Sequence, residues 1–234
     1  MKTVVISLGG SILIPELDKN RIREYLPVLT RIAAKYRLFV VVGGGGGARD
    51  YIEIARDLGI DEGTADEIGI LVTRLNATLL IAALGEAAYP KVAESHSEAK
   101  KFAESKKIVV MGGITPGQTT DAVAAVLAER VHADVFVNVT SVNGIYDKDP
   151  NKFHDAKYFD TLTPKDLLAI VSQGGLGAGS HNVLDIIAAR VVERSHIPLV
   201  VLDGTTPENL SDAILSGKGE YSIVSETKKK ILPL

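Results

Sequence analysis

The sequence predicts an α/β fold: a mostly parallel sheet with helices on both faces. Three observations predict it. Short apolar runs rich in β-branched residues recur along the 234 residues, without the polar alternation of a strand that faces water on one side. Segments with apolar residues at helical spacing alternate with those runs. Three runs also end in glycines. Val4–Leu8 enters Gly9-Gly10-Ser11, Leu38–Val42 enters Gly43 through Gly47, and Ile108–Met111 enters Gly112-Gly113. A strand that ends in glycine lets backbone N–H groups approach a ligand with no Cβ in the way. A helix starting just beyond adds a positive end that favours anions.

Taken in order, Val4–Leu8 reads as a buried strand. Asp18 to Tyr36 carries Ile22, Tyr25, Leu26, Leu29, Ile32 and Ala33 on one helical face, with Asp18 as N-cap. Phe39–Val42 is a second strand. Ala48 to Leu58 is a helix that stops at Gly59, which places Arg49 on its first turn. Thr64 to Leu84 is a longer helix, apolar on more than one side, which suits burial or a subunit contact. Residues 90–106 predict a short surface helix, Ile108–Met111 a strand, and Asp121 to His132 an alanine-rich helix. Asp134 to Val139 is a strand, followed by an Asn143-Gly144 turn. Tyr146 to Asp160 reads as an irregular excursion. Pro164 opens a helix through Val171, and Gly174–Gly179 is a glycine-rich loop. Asn182 to Ser195 is helical, Pro198–Leu202 a strand, Pro207–Leu215 a short helix and Tyr221–Val224 the last strand. The chain reads as one domain, with residues 1–130 bearing one lobe of the site and 131–234 the other.

Composition narrows the function. The formal net charge is −3, which argues against a nucleic-acid partner. Lys228-Lys229-Lys230 reads as a solvated tail. The absence of cysteine from the sequence excludes disulfides, thiolate catalysis and cysteine-held metal; it fits a cytoplasmic protein. Ile68–Leu84 is the most membrane-like stretch, but Arg74 and Asn76 interrupt it. The five histidines are scattered through polar contexts without metal-ligand spacing and read as surface residues. No Walker A pattern and no Ser/His/Asp arrangement is present.

What remains points to phosphate chemistry. Five glycines are more than a tight turn needs. Arg49 beyond them is disfavoured at a helix N-terminus unless an anion lies between its guanidinium and the amides; a salt bridge to Asp50, Glu53 or Asp66 is the bland alternative. Gly112 to Asp121 gathers backbone amides with the hydroxyls of Thr115, Thr119 and Thr120. Either Thr119 or Thr120 suits the cap of the helix that follows. Asp66 suits either a helix N-terminus or the hydroxyls of a ribose. Tyr146 near Asp147 and Asp149 suits a purine nucleoside, or a surface turn with one anchoring ring.

Together these segments resemble the amino-acid-kinase superfamily, and within it the archaeal-type uridylate kinase branch. The resemblance rests on Gly9-Gly10-Ser11; Gly43–Arg49 with Tyr51-Ile52; Asp66 with Ile68-Gly69-Ile70; and Thr73–Ala77. It continues through Met111-Gly112-Gly113 with Pro116–Ala122, Asn143–Tyr146 with Asp149-Pro150, and Asp185 with Ala188-Ala189. It implies a three-layer α/β/α sandwich and transfer of the γ-phosphate of ATP to UMP. It further implies that Gly9, Gly10, Gly45, Arg49, Thr140, Tyr146 and Asp149 contact ATP. Gly44, Asp66, Ile114, Thr115, Pro116, Gly117, Gln118, Thr119 and Thr120 would hold UMP. Arg49 and Asp185 would be the catalytic pair. Mg²⁺ would be held mainly by nucleotide phosphates rather than by protein ligands, and the assembly would be a hexamer built from dimers. Three positions depart from the superfamily pattern: Ser7 where a lysine is common, Asn143 where aspartate is usual, and Gly46 where lysine is often seen.

Three rivals stay open at this stage. One is a kinase for isopentenyl phosphate or acetylglutamate on the same fold. Another is an oxidoreductase binding NAD through Gly43, Gly45 and Ala48. The last is a non-catalytic nucleotide sensor, which the uncharged Ser7 and Asn143 would favour.

Overall fold

A computed structural model describes residues 1–15, 19–173, 184–227 and 231–234. Four expectations fall outside them: the Asp18 cap, the Gly174–Gly179 loop, the start of a helix at Asn182 and the lysine tail. His181 falls outside as well.

Among the described residues, seven strands form the central sheet in the order β3-β2-β1-β4-β8-β9-β7. They are β1 (Thr3–Leu8), β2 (Arg37–Val42), β3 (Val109–Met111), β4 (Val135–Thr140), β7 (Thr161–Leu162), β8 (Leu199–Asp203) and β9 (Tyr221–Val224). From β3 across to β8 all neighbours are parallel, and only β9 runs antiparallel to β8. Alternation of side chains sorts each strand's residues onto two faces. Val4, Ile6 and Leu8 join Val40, Val42 and Val137 in one buried cluster. That cluster is closed by α2 (Lys19–Ala33), the C-terminal half of α4 (Glu62–Leu84) and α9 (Glu208–Ser216). Val5, Phe39, Val41, Met111 and Phe136 face the other way. They pack under α5 (His96–Phe102), α6 (Thr120–Val131), α7 (Pro164–Gln173) and α8 (Ile186–Ser195). The result is the three-layer sandwich. Every residue of β1 is buried, which is why its sequence shows no alternation.

Several local details differ from expectation. The helix after β2 is α3 (Gly45–Asp57), so three of the five glycines become its first turn and Arg49 lies further along. Asp61, not Asp66, caps α4 by accepting the Thr64 N–H. A four-residue helix, α1 (Gly10–Leu13), follows β1. The 145–160 excursion contains a small antiparallel ribbon, β5 (Ile145–Tyr146) with β6 (Tyr158–Phe159). The 90–106 segment is less superficial than predicted: Ala93, Ala99 and Phe102 are buried, and Ala93 bridges to Met111. His96 is also not a surface residue. Its ring is half-buried and bonds the Val123 carbonyl at 3.0 Å, and burial lowers its pKa.

Candidate active site

Parallel strands release their chains at one edge, and ligands of open α/β sheets sit there. The C-terminal ends of β3, β2, β1 and β4 place Gly112, Gly43, Gly9 and Thr140 side by side along it. The turns touch so closely that only glycine fits. A Cβ on Gly10 would lie 2.1 Å from the Gly45 nitrogen and 2.5 Å from the Gly43 oxygen. Gly45 has φ +67°, a conformation that glycine adopts without strain. The Gly9 N–H donates to Val139, which anchors the first turn to β4.

A cleft of about 370 Å³ opens between these turns and α4. Gly44, Gly45, Arg49, Asp66, Thr115, Gln118, Thr119 and Thr120 all line it, so these eight predicted site residues converge. Arg49 is exposed and makes no ion pair among the described residues, which removes its bland alternative. The 113–120 loop is fastened at several points. The Asp66 carboxylate accepts the Gly117 N–H at 2.7 Å. Thr119 is the residue that caps α6, accepting the Ala122 N–H. Its hydroxyl also donates to Asp185, whose other oxygen caps α8 by accepting from Ile187 and Ala188. Ile114 is part-buried against the core, whereas Pro116 and Gly117 are exposed.

The remaining predicted residues lie elsewhere on the same edge. Tyr146 lines a second cleft, about 500 Å³, with Asn143, Tyr158, Asp160 and Glu220. There the Tyr146 hydroxyl donates to Asn143, and Asn143 donates to Glu220. Asn143 therefore sits between two partners rather than facing outward as a free carboxamide. Asp149 lines neither cleft. Its Oδ1 accepts the Asn151 N–H, while Oδ2 is buried with no hydrogen-bond partner among the described residues. Thr140 ends β4, where its carbonyl accepts the Gly204 N–H.

One group escaped the sequence reading. Ser7 is buried and donates to Asp121 at 2.6 Å. Loss of water around Asp121 raises its pKa to about 6, and the nearby negative charge of Asp185 adds to the rise, while the Ser7 bond opposes it. The signal was present in the run Thr119-Thr120-Asp121, but sequence spacing alone does not show that β1 delivers Ser7 to it.

Chemically, the described residues of the edge offer amides, hydroxyls and the guanidinium of Arg49, with few groups suited to act as a base. That donor set stabilises oxyanions by position rather than by proton transfer.

Comparison with known proteins identifies the family. A uridylate kinase of Methanoregula boonei is 84% identical over 234 residues, covering 100% of both chains. One of Methanoculleus marisnigri is 58% identical over 233 residues, again covering 100% of both chains. The crystal structure of the uridylate kinase from Archaeoglobus fulgidus superposes with a TM-score of 0.85 at 44% identity, covering 96% of this chain and 100% of that one. The model of the amino acid kinase family matches residues 2–203, and with the sandwich, the glycine edge and these relatives in view, the chain belongs to the amino acid kinase family.

Proposed function

We propose that the chain is a uridylate kinase that transfers the γ-phosphoryl group of ATP to UMP, giving UDP and ADP. The observation that carries this reading is the cleft itself. Asp66, Arg49, Thr115 and Gln118–Thr120 line one space beside the backbone of Gly44 and Gly45, a lining that suits a nucleoside phosphate. A phosphate oxygen of UMP forms a bond to the γ-phosphorus as the bond to the β–γ bridging oxygen breaks. UMP's phosphate is mostly dianionic at neutral pH, so no protein base is required. Catalysis is then alignment plus charge stabilisation.

In this scheme Gly44, Asp66 and residues 114–120 hold UMP, with the free oxygen of Asp66 accepting ribose hydroxyls. Gly9, Gly10, Gly45, Arg49 and Thr140 take the ATP phosphates. Tyr146 and Asp149, whose Oδ2 lies 3.8 Å from the Lys152 ammonium, take the purine nucleoside. Residues 1–130 thus serve mainly the acceptor and 131–234 mainly ATP. Arg49 meets the charge that develops on the transferred group, and Asp185 holds Thr119 and the start of α8 in place around it. Mg²⁺ would travel with the triphosphate, where it neutralises phosphate charge. Asp121 and Asp185, hard oxygen donors beside the cleft, suit that ion. Among the described residues, no three Asp, Glu, His or Cys side chains converge to cage one.

The reading extends to assembly and setting. Tyr51 and Ile54 on α3 and Leu58 just after it are exposed, as are Leu71, Leu75 and Leu79 on α4. Apolar exposure on this scale supports burial by a second copy, the dimer from which a hexamer is built. The reaction belongs to pyrimidine nucleotide synthesis in the cytoplasm.

The test is a coupled assay of ATP with each nucleoside monophosphate and with isopentenyl phosphate. UMP is expected to be the preferred acceptor and UDP the product. Faster turnover of isopentenyl phosphate, or nucleotide binding without UDP, would overturn the proposal.

A further inference from the structure

We propose that Thr73 and Asn76, on the inner face of α4, are positioning residues. They hold the β3 and β2 glycine turns in register and so set the shape and aim of the acceptor site. The inference rests on the kinase reading above. Its starting point is an anomaly in α4. The helix is apolar enough by length and composition to cross a membrane, yet two of its buried residues are polar: Thr73 is 7% exposed and Asn76 8%. Buried polar groups are costly unless bonded. Both are bonded to the backbone of the turns.

Thr73 donates its hydroxyl proton to the Ile70 carbonyl at 2.6 Å, and its oxygen accepts the Gly113 N–H at 2.7 Å. A hydroxyl has a single proton. Committing it to Ile70 leaves a lone pair for Gly113. Arg74, the next residue, donates to the Gly113 carbonyl at 3.2 Å. Both polar atoms of Gly113 are therefore held by α4, at the root of the loop that carries Thr115 to Thr120. A Cβ on Gly112 would lie 2.5 Å from the Thr73 hydroxyl, so this grip needs glycine on the turn.

Asn76 acts one helical turn away. Its Nδ2 donates to the carbonyls of Gly43 and Gly44 at 3.0 and 3.2 Å. In a planar trans peptide the carbonyl and the following N–H point in opposite directions. Drawing those oxygens toward Asn76 therefore turns the N–H groups of Gly44 and Gly45 away from α4. The Gly45 nitrogen faces the Gly9–Gly10 turn, as the 2.1 Å approach of a Gly10 Cβ shows. Thr73 thus shapes the acceptor side, whereas Asn76 aims amides toward the transferred phosphoryl group. Residues three apart lie on one helical face, which is why one helix serves two turns.

The experiment measures steady-state kinetics of the full chain, with UMP and ATP varied separately, alongside thermal stability and hydrogen exchange at Gly113. T73V should raise the KM for UMP about tenfold, the cost of one buried hydrogen bond. Its kcat and KM for ATP should stay within about twofold, and T73S should restore the UMP value. N76L should instead lower kcat about tenfold with a smaller effect on the KM for UMP. An unchanged KM for UMP in T73V overturns the inference. So does a parallel decline of all parameters with stability, the pattern of a merely structural residue. If N76L does not fold, the T73V and T73S pair decides. A wild-type chain that makes no UDP overturns the kinase reading instead. The clamp is then read from exchange alone: faster exchange at Gly113 in T73V than in wild type and T73S supports it, and unchanged exchange overturns it.

Discussion

Asp66 shows how much a single side chain can owe to its surroundings. Its sequence context suits a helix N-terminus, but Asp61 takes that role and leaves Asp66 to hold the Gly117 amide. Asp66→Ala should therefore raise the KM for UMP by an order of magnitude or more and barely change that for ATP. Equal losses for both substrates in steady-state assays would make the acid purely structural. Arg49 has no ion-pair partner among the described residues to compensate, so Arg49→Ala should lower kcat by about 10²-fold. A rate equal to wild type would assign it to the surface. Asp121 gives a pH prediction. Its folded pKa, about 6, lies above the ordinary 3.8. Between those values the folded state binds more protons than the unfolded one, so this group's contribution to stability falls as pH rises from about 4 to 6. Asp121→Asn should remove that fall. The melting temperature of the variant relative to wild type should rise across the same window, and a constant difference would refute the assignment. Asp121 was in plain view in the sequence. Its environment was not, because Ser7 lies 114 positions away.

Among the elements, the glycine turns were the most legible. Consecutive glycines at strand ends have few structural uses, and the structure packs backbone against backbone there. The boundary of α3 was less legible: glycines count against helix, yet Gly45–Gly47 form its first turn. The cost is offset by close approach, and the glycines divide accordingly. A Cβ on Gly10 would strike backbone atoms at 2.1 Å, whereas one on Gly46 meets nothing within 4 Å. Gly10→Ala should lower the melting temperature sharply and abolish activity. Gly46→Ala should raise stability by about 0.5–1 kcal/mol through the unfolded chain. Calorimetry of the two variants checks both, and a destabilised Gly46→Ala would show that this position is crowded after all. The 145–160 segment was illegible as structure, because its ribbon pairs only Ile145 with Phe159 and Tyr146 with Tyr158, too short a pattern for periodicity to reveal.

For the whole molecule, the sheet order matters most. Placing β1 between β2 and β4 brings the acceptor turns and the residues proposed for ATP to one edge. The layers also explain α4. Its inner side joins the core and clasps the turns, and its outer side leaves Leu75 67% exposed, with Leu58, at the end of α3, at 72%. Replacing Leu58 and Leu75 together with glutamate should shift the protein to monomer in analytical ultracentrifugation. An unaltered sedimentation coefficient would count against the proposed contact between copies on this face.

Local chemistry alone determined the fold class, the position of the glycine turns and the identity of most residues around the cleft. Burial on both faces and bare backbone leave marks in composition at each position, and such marks need no partner to be read. Tertiary structure decided which turns meet, that Thr73 and Asn76 bond to them, that Ser7 donates to Asp121, and that Asn143 is held between Tyr146 and Glu220. Those are contacts between residues far apart in the chain, and they exist only once parallel strands have brought their ends together.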